Sequence, residues 1–71
     1  MWQRYADVDR DSGVVAFQVL DNSISVRFQD GSVYTYRSPP NHSSTIQTMV
    51  RLARAGEGLN AFINRNKPIH S

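Results

Sequence analysis

Between Val14 and Arg37 apolar and polar positions follow patterns that read as strands, and after Ser38 the period changes to that of a helix. Val14-Val15-Ala16-Phe17-Gln18-Val19-Leu20 is dense in β-branched and aromatic residues and predicts a first strand. Asp21-Asn22-Ser23 supplies turn chemistry. Ile24, Val26 and Phe28 then alternate with Ser25, Arg27 and Gln29, the signature of a strand with one buried face. Asp30-Gly31 is a strong hairpin signal, and Ser32 to Arg37 reads as the returning strand. The expected strands are 13–20, 23–29 and 32–38, joined as an antiparallel meander.

Ser38-Pro39-Pro40 stops the sheet, because proline cannot donate to a ladder. A helix can start there, with Ser38 as cap and Pro39 in its first position, or at Ser44, where Gln47 completes a capping box. Ile46, Met49, Val50 and Ala53 form an apolar stripe with Leu52 at its margin, and Gly56 is a stop signal. Leu59, Phe62 and Ile63 mark a second, shorter helix that Pro68 ends. Helices are expected near 40–55 and 58–65. The predicted fold is α+β: a three-stranded antiparallel meander followed by two helices packed on one sheet face. Residues 1–11 read as an N-terminal extension, in which Trp2, Tyr5 and Val8 can form one amphipathic turn. Residues 12–67 read as a single domain and 68–71 as a tail.

A chain of 71 residues allows one small domain, burying roughly 60% of its unfolded surface. There is little material for a lid or a deep cofactor cavity. With no cysteine, disulfides, thiolate metal sites and thiol nucleophiles are excluded, which favours a reducing compartment. No apolar run is long enough to span a membrane and the first residues lack a signal-peptide core, so a cytoplasmic location is expected. The net charge of +2 is unevenly spread. Residues 1–31 carry −2, from five aspartates against Arg4, Arg10 and Arg27. Residues 32–71 carry +4, from Arg37, Arg51, Arg54, Arg65 and Lys67 against Glu57. Arginine supplies seven of the eight cations, and it pairs bidentately with phosphate and stacks on flat rings.

Nothing in the chain reads as catalytic machinery. His42 and His70 are the only histidines, and His42 falls on the apolar stripe if the helix starts at Pro39, which predicts a partly buried structural role. Asp7, Asp9 and Asp11 alternate as in part of a calcium loop, but the glycine and the terminal glutamate of such a loop are absent. Gly56-Glu57-Gly58 follows a helix and lacks the lysine of a phosphate loop, so it reads as a helix stop. No enzyme activity, cofactor or metal is expected.

Tyr34 and Tyr36 share one face of their strand, and the turn decides which. A two-residue turn pairs Arg27 with Tyr34 and leaves both rings opposite the core, an exposed platform beside Arg27. A bulge at Gly31 slips the register by one: Tyr34 then opposes Val26, Tyr36 opposes Ile24, and both rings join the core. Thr35 suits a core poorly in the first register, while Val33 is spent on the surface in the second; the bulged register is the one preferred. On the first helix Gln47, Arg51 and Arg54 form a polar strip beside the apolar stripe, able to follow a phosphate backbone. Arg65 and Lys67 add charge at the end of the second, where cations also suit the helix dipole.

Ile24-x-Val26-x-Phe28, Asp30-Gly31, Tyr34-Thr35-Tyr36, the proline at 39 or 40, and Gly58-Leu59-Asn60-Ala61-Phe62-Ile63-Asn64 together resemble a KTSC domain. This small family is named for its place at the C-terminus of some lysyl-tRNA synthetases and also occurs as free-standing bacterial proteins. The resemblance covers about Ser12 to Lys67 and departs at Ser38, where the family often has valine. It implies a bacterial or phage setting and RNA binding, and it brings no catalytic residues. The expected function is a non-enzymatic module that binds RNA through Arg51, Arg54, Arg65 and Lys67, with Arg27, Arg37, Tyr34 and Tyr36 as further candidates. The alternative is a protein-interaction or self-associating domain that uses a sheet edge with Trp2 and Tyr5. Neither a membrane nor a small-molecule substrate is expected as a partner.

Overall fold

The computed structural model describes residues 1–7 and 13–70. The chain forms β1 (Gln3–Arg4), β2 (Val14–Leu20), β3 (Ser23–Phe28), β4 (Val33–Arg37), α1 (Ser43–Ala55) and α2 (Leu59–Asn66). The strands make one antiparallel sheet in the order β1-β2-β3-β4. The α+β class and the meander match the expectation, but the sheet has four strands and not three. Gln3 and Arg4 lack an apolar signal and are recruited through backbone pairing, opposite Phe17 and Ala16. The Tyr5 N–H extends this by donating to the Val15 carbonyl at 3.0 Å.

The bulged hairpin is the one formed. Ile24 faces Tyr36, Val26 faces Tyr34, and Arg27 faces Val33. The Phe28 N–H donates to the Ser32 carbonyl at 2.9 Å, closing a loop of residues 29–31. Gly31 sits there at φ +89°, a conformation costly for a residue with a Cβ. Asp30 Oδ1 accepts from the Ser32 N–H at 2.9 Å, which holds its carboxyl below the usual carboxylate range.

A second irregularity shapes the core. Register shifts between Val14 and Ala16, so Val15 bulges out of the β2–β3 ladder. Val14 and Phe17, three residues apart, consequently face the same side and are both buried. With Ile24, Val26 and Tyr36 they meet Ile46, Met49 and Ala53 of α1 and Leu59 of α2. Tyr5 joins this core and its hydroxyl accepts the Leu59 N–H at 3.3 Å. Both helices contribute to the core from one face of the sheet, as expected.

The prolines lie ahead of α1 and not within it. Ser38-Pro39 and Pro39-Pro40 are both cis and belong to a turn, and α1 starts at Ser43 with His42 at the cap position. His42 is therefore exposed, contrary to the partly buried role expected of it, because the helix starts too late to place it on the stripe. Gly56 ends α1 in the left-handed conformation, and its N–H returns to the Leu52 and Ala53 carbonyls.

Residues 68–70 pack against the domain. Pro68 is buried, and the Asn41 side chain holds the Ile69 backbone at both ends. Its Nδ2 donates to the Ile69 carbonyl at 2.7 Å and its Oδ1 accepts the Ile69 N–H at 3.0 Å. His70 then bridges to Tyr36 at the outer side of β4.

Candidate nucleic-acid interface

Strand alternation sorts the candidate residues onto two sides of the sheet. Tyr34 and Tyr36 lie on the helix side. Tyr36 is 1% exposed and Tyr34 is 36% exposed, so only the first is a full core residue. The Tyr34 ring stacks on the His70 imidazole at 4.2 Å and lies 5.5 Å from Phe28. His70 meets the edge of Tyr36 at 5.7 Å. The His70 imidazole thus covers one face of the Tyr34 ring. Lys67, left-handed at the end of α2, lines the depression beside these rings together with Ile63 and Pro68.

Burial pushes the Tyr36 hydroxyl above its ordinary value of 10.0, and the neighbouring Tyr34 adds to the effect. The folded state thus holds this proton more tightly than the unfolded chain does. The stabilisation is complete below the unfolded value and is lost as pH rises through the folded one. Denaturant midpoints should therefore fall as pH climbs beyond about 10, and Tyr36→Phe should flatten that fall.

The core packs on the side of Ile24, Val26 and Tyr36, and the other set of alternating residues forms the opposite face. Register places Trp2 and Arg4 of β1 and its lead-in there, with Ala16, Gln18 and Leu20 of β2, Ser23, Ser25 and Arg27 of β3, and Val33, Thr35 and Arg37 of β4. Among the described residues this face carries three arginines and no carboxylate. The Arg27 guanidinium lies over the Trp2 ring, 4.5 Å from its centre. At its middle the Ser25 and Thr35 hydroxyls hydrogen-bond at 2.9 Å. Arg27 and Arg37 were legible as candidates, whereas Trp2 and Arg4 were assigned to the extension outside the domain. Their alternation about Gln3 is a strand signal too short to read.

Arg51 and Arg54 are exposed on α1, as the polar strip requires. They flank a groove of about 490 Å³ between α1 and the β2–β3 turn, with an apolar floor of Leu20, Ile46 and Val50 and with Asn22, Ser38 and Gln47 around it. A shallower depression lies between Arg37 and the same turn. The two hollows share Leu20, Asn22 and Ser38, so the sheet face and the helix strip meet. Asp21 is the one acid among the residues lining them. Arg65 is exposed in the last turn of α2 and lines neither hollow. Of the eight candidates, Arg37, Arg51 and Arg54 line the two adjoining hollows, Tyr34, Tyr36 and Lys67 line a separate depression, and Arg27 and Arg65 line none of these.

Among the described residues no group of three or more histidine, cysteine, aspartate or glutamate side chains is placed to hold a metal. Of the aspartates resembling a calcium loop, Asp9 and Asp11 lie outside the described residues. No described helix is long and apolar enough to cross a membrane. No protein-family model, curated protein or solved structure matches the chain.

Proposed function

We propose that the protein is a small non-enzymatic module that binds single-stranded RNA along its arginine surface. The observation that carries this is the junction at Leu20, Asn22 and Ser38, shared by the hollow beside Arg37 and the groove flanked by Arg51 and Arg54 on α1. Arg4 and Arg27 extend the positive surface across the sheet, one on either side of Ala16. Single strands are bound by cationic contact to phosphates combined with stacking on flat rings. Trp2, set against Arg27, supplies such a ring. The resemblance to KTSC domains belongs to the same proposal and names RNA as the nucleic acid. Arg65 and Lys67 stand apart from this surface and add to its field rather than to its contacts.

Exposed Leu20 and Val33 favour the second reading, a protein-interaction or self-associating domain. Salt separates the two, because counterion release makes RNA binding fall with ionic strength while apolar contact does not. Fluorescence anisotropy with a labelled single-stranded oligoribonucleotide should give a log-affinity that falls by about 0.7 per decade of salt for each phosphate contacted. The RNA reading is abandoned if the wild-type protein binds no oligoribonucleotide at low salt. A concentration-dependent dimer by light scattering, unchanged by salt, would put self-association in its place.

A further inference from the structure

The phosphate track accounts for the arginines but not for the apolar floor between them. We propose that the groove along α1 receives an unpaired nucleobase of the bound strand, so that the module selects single-stranded over duplex RNA; this rests on the RNA reading above. Ser43 and Arg54 both line the groove, which therefore runs along about 16 Å of helix, eleven residues at the α-helical rise. Leu20, Ile46 and Val50 give it apolar lining, and the open groove has a volume of about 490 Å³. Leu20 is 51% exposed although it is a large aliphatic residue at the end of a strand, so its side chain is an accessible wall and not a sealed part of the core.

Charge fixes the kind of occupant. Among the described residues the charged ones lining the groove are Arg51 and Arg54, about one helical turn apart, and their charge favours an anionic partner. An apolar body flanked by anionic groups is the pattern of a base between two phosphates. The groove is also continuous with the hollow beside Arg37, so a strand leaving the sheet face can enter it. Asn22 and Ser38, which line both hollows, bring polar side chains able to pair with base edges. A duplex keeps its bases stacked and paired, and can offer this site only its backbone.

The test compares three labelled probes on the whole chain: a 12-nucleotide oligouridylate, the same length with abasic positions, and a duplex of equal length. Wild-type protein should bind the oligouridylate at least about fivefold more tightly than either of the others, as expected for burying one base against aliphatic side chains. Leu20→Asn, which leaves the charge unchanged, should erase that preference while the salt slope of the remaining binding stays as in wild type. Leu20→Phe, which keeps an apolar wall, should retain it. RNA binding of equal strength to all three probes would overturn the base site and leave the backbone track standing. Absence of binding to any of the probes would overturn both. Displacement of the oligouridylate by a leucine-containing acidic peptide, lost in Leu20→Asn, would overturn the base as occupant in favour of a protein segment.

Discussion

Replacing Tyr36 with alanine should lower stability by about 3–5 kcal/mol, the range for removing a large aromatic side chain from a core. Tyr36 is 1% exposed, faces fully buried Ile24 across the ladder, and shares the core with Met49 and Leu59. Its removal also takes away the ring that His70 meets edge-on, so the hold on residues 68–70 weakens at the same time. Small domains have only a few kcal/mol in reserve, so the variant should be largely unfolded at room temperature. Circular dichroism through a urea titration measures this, and a midpoint close to wild type would contradict the packing described. Tyr34→Ala should cost clearly less, because that ring is already 36% exposed and its principal partner is an imidazole at the surface.

The second large effect is expected in binding. Arg51→Glu combined with Arg54→Glu should reduce affinity for single-stranded RNA by more than a hundredfold at low salt, through two lost phosphate contacts and two new repulsions. The log-affinity against log-salt slope should flatten by about 1.4, twice the single-strand contribution of one phosphate. Both side chains are exposed, and α1 buries Ile46, Met49 and Ala53 on its other side, so the melting temperature should change little. Arg27→Glu with Arg37→Glu should have the same consequence from the sheet side. Undiminished affinity in either double variant would detach that pair from the track.

The meander and both helices were legible because their signals are local. Ile24, Val26 and Phe28 alternate over a full strand, and Ile46, Met49 and Ala53 repeat over two turns. The hairpin register was legible from a balance between Val33 and Thr35, and only as a choice between two arrangements. What escaped is settled by distant partners. β1 has two residues, and its place is fixed by the exposed edge of β2 rather than by its own sequence. Tyr5 looked like part of a short amphipathic turn, yet it is held by Leu59, 54 residues away. Val14 and Phe17 share a face only because Val15 bulges, which no alternation rule anticipates. Arginine identities marked the candidate surface, but their grouping required the fold. Arg37 and Arg51 are fourteen positions apart in the chain and line hollows on either side of one turn, while Lys67 is placed with the tyrosines.

The grip of Asn41 on Ile69 has a consequence for how copies of this chain behave toward one another. A four-stranded open sheet has two borders with unpaired backbone groups, each a template for another strand. Here β1 occupies the border left by β2, and its brevity gives an incoming strand only two residues to match. At the other border the amide of Asn41 holds the Ile69 backbone, and His70 beside it pairs with Tyr36. One side chain in the turn before α1 thereby helps shield β4 from edge-to-edge polymerisation, a protection exerted across 28 positions of sequence.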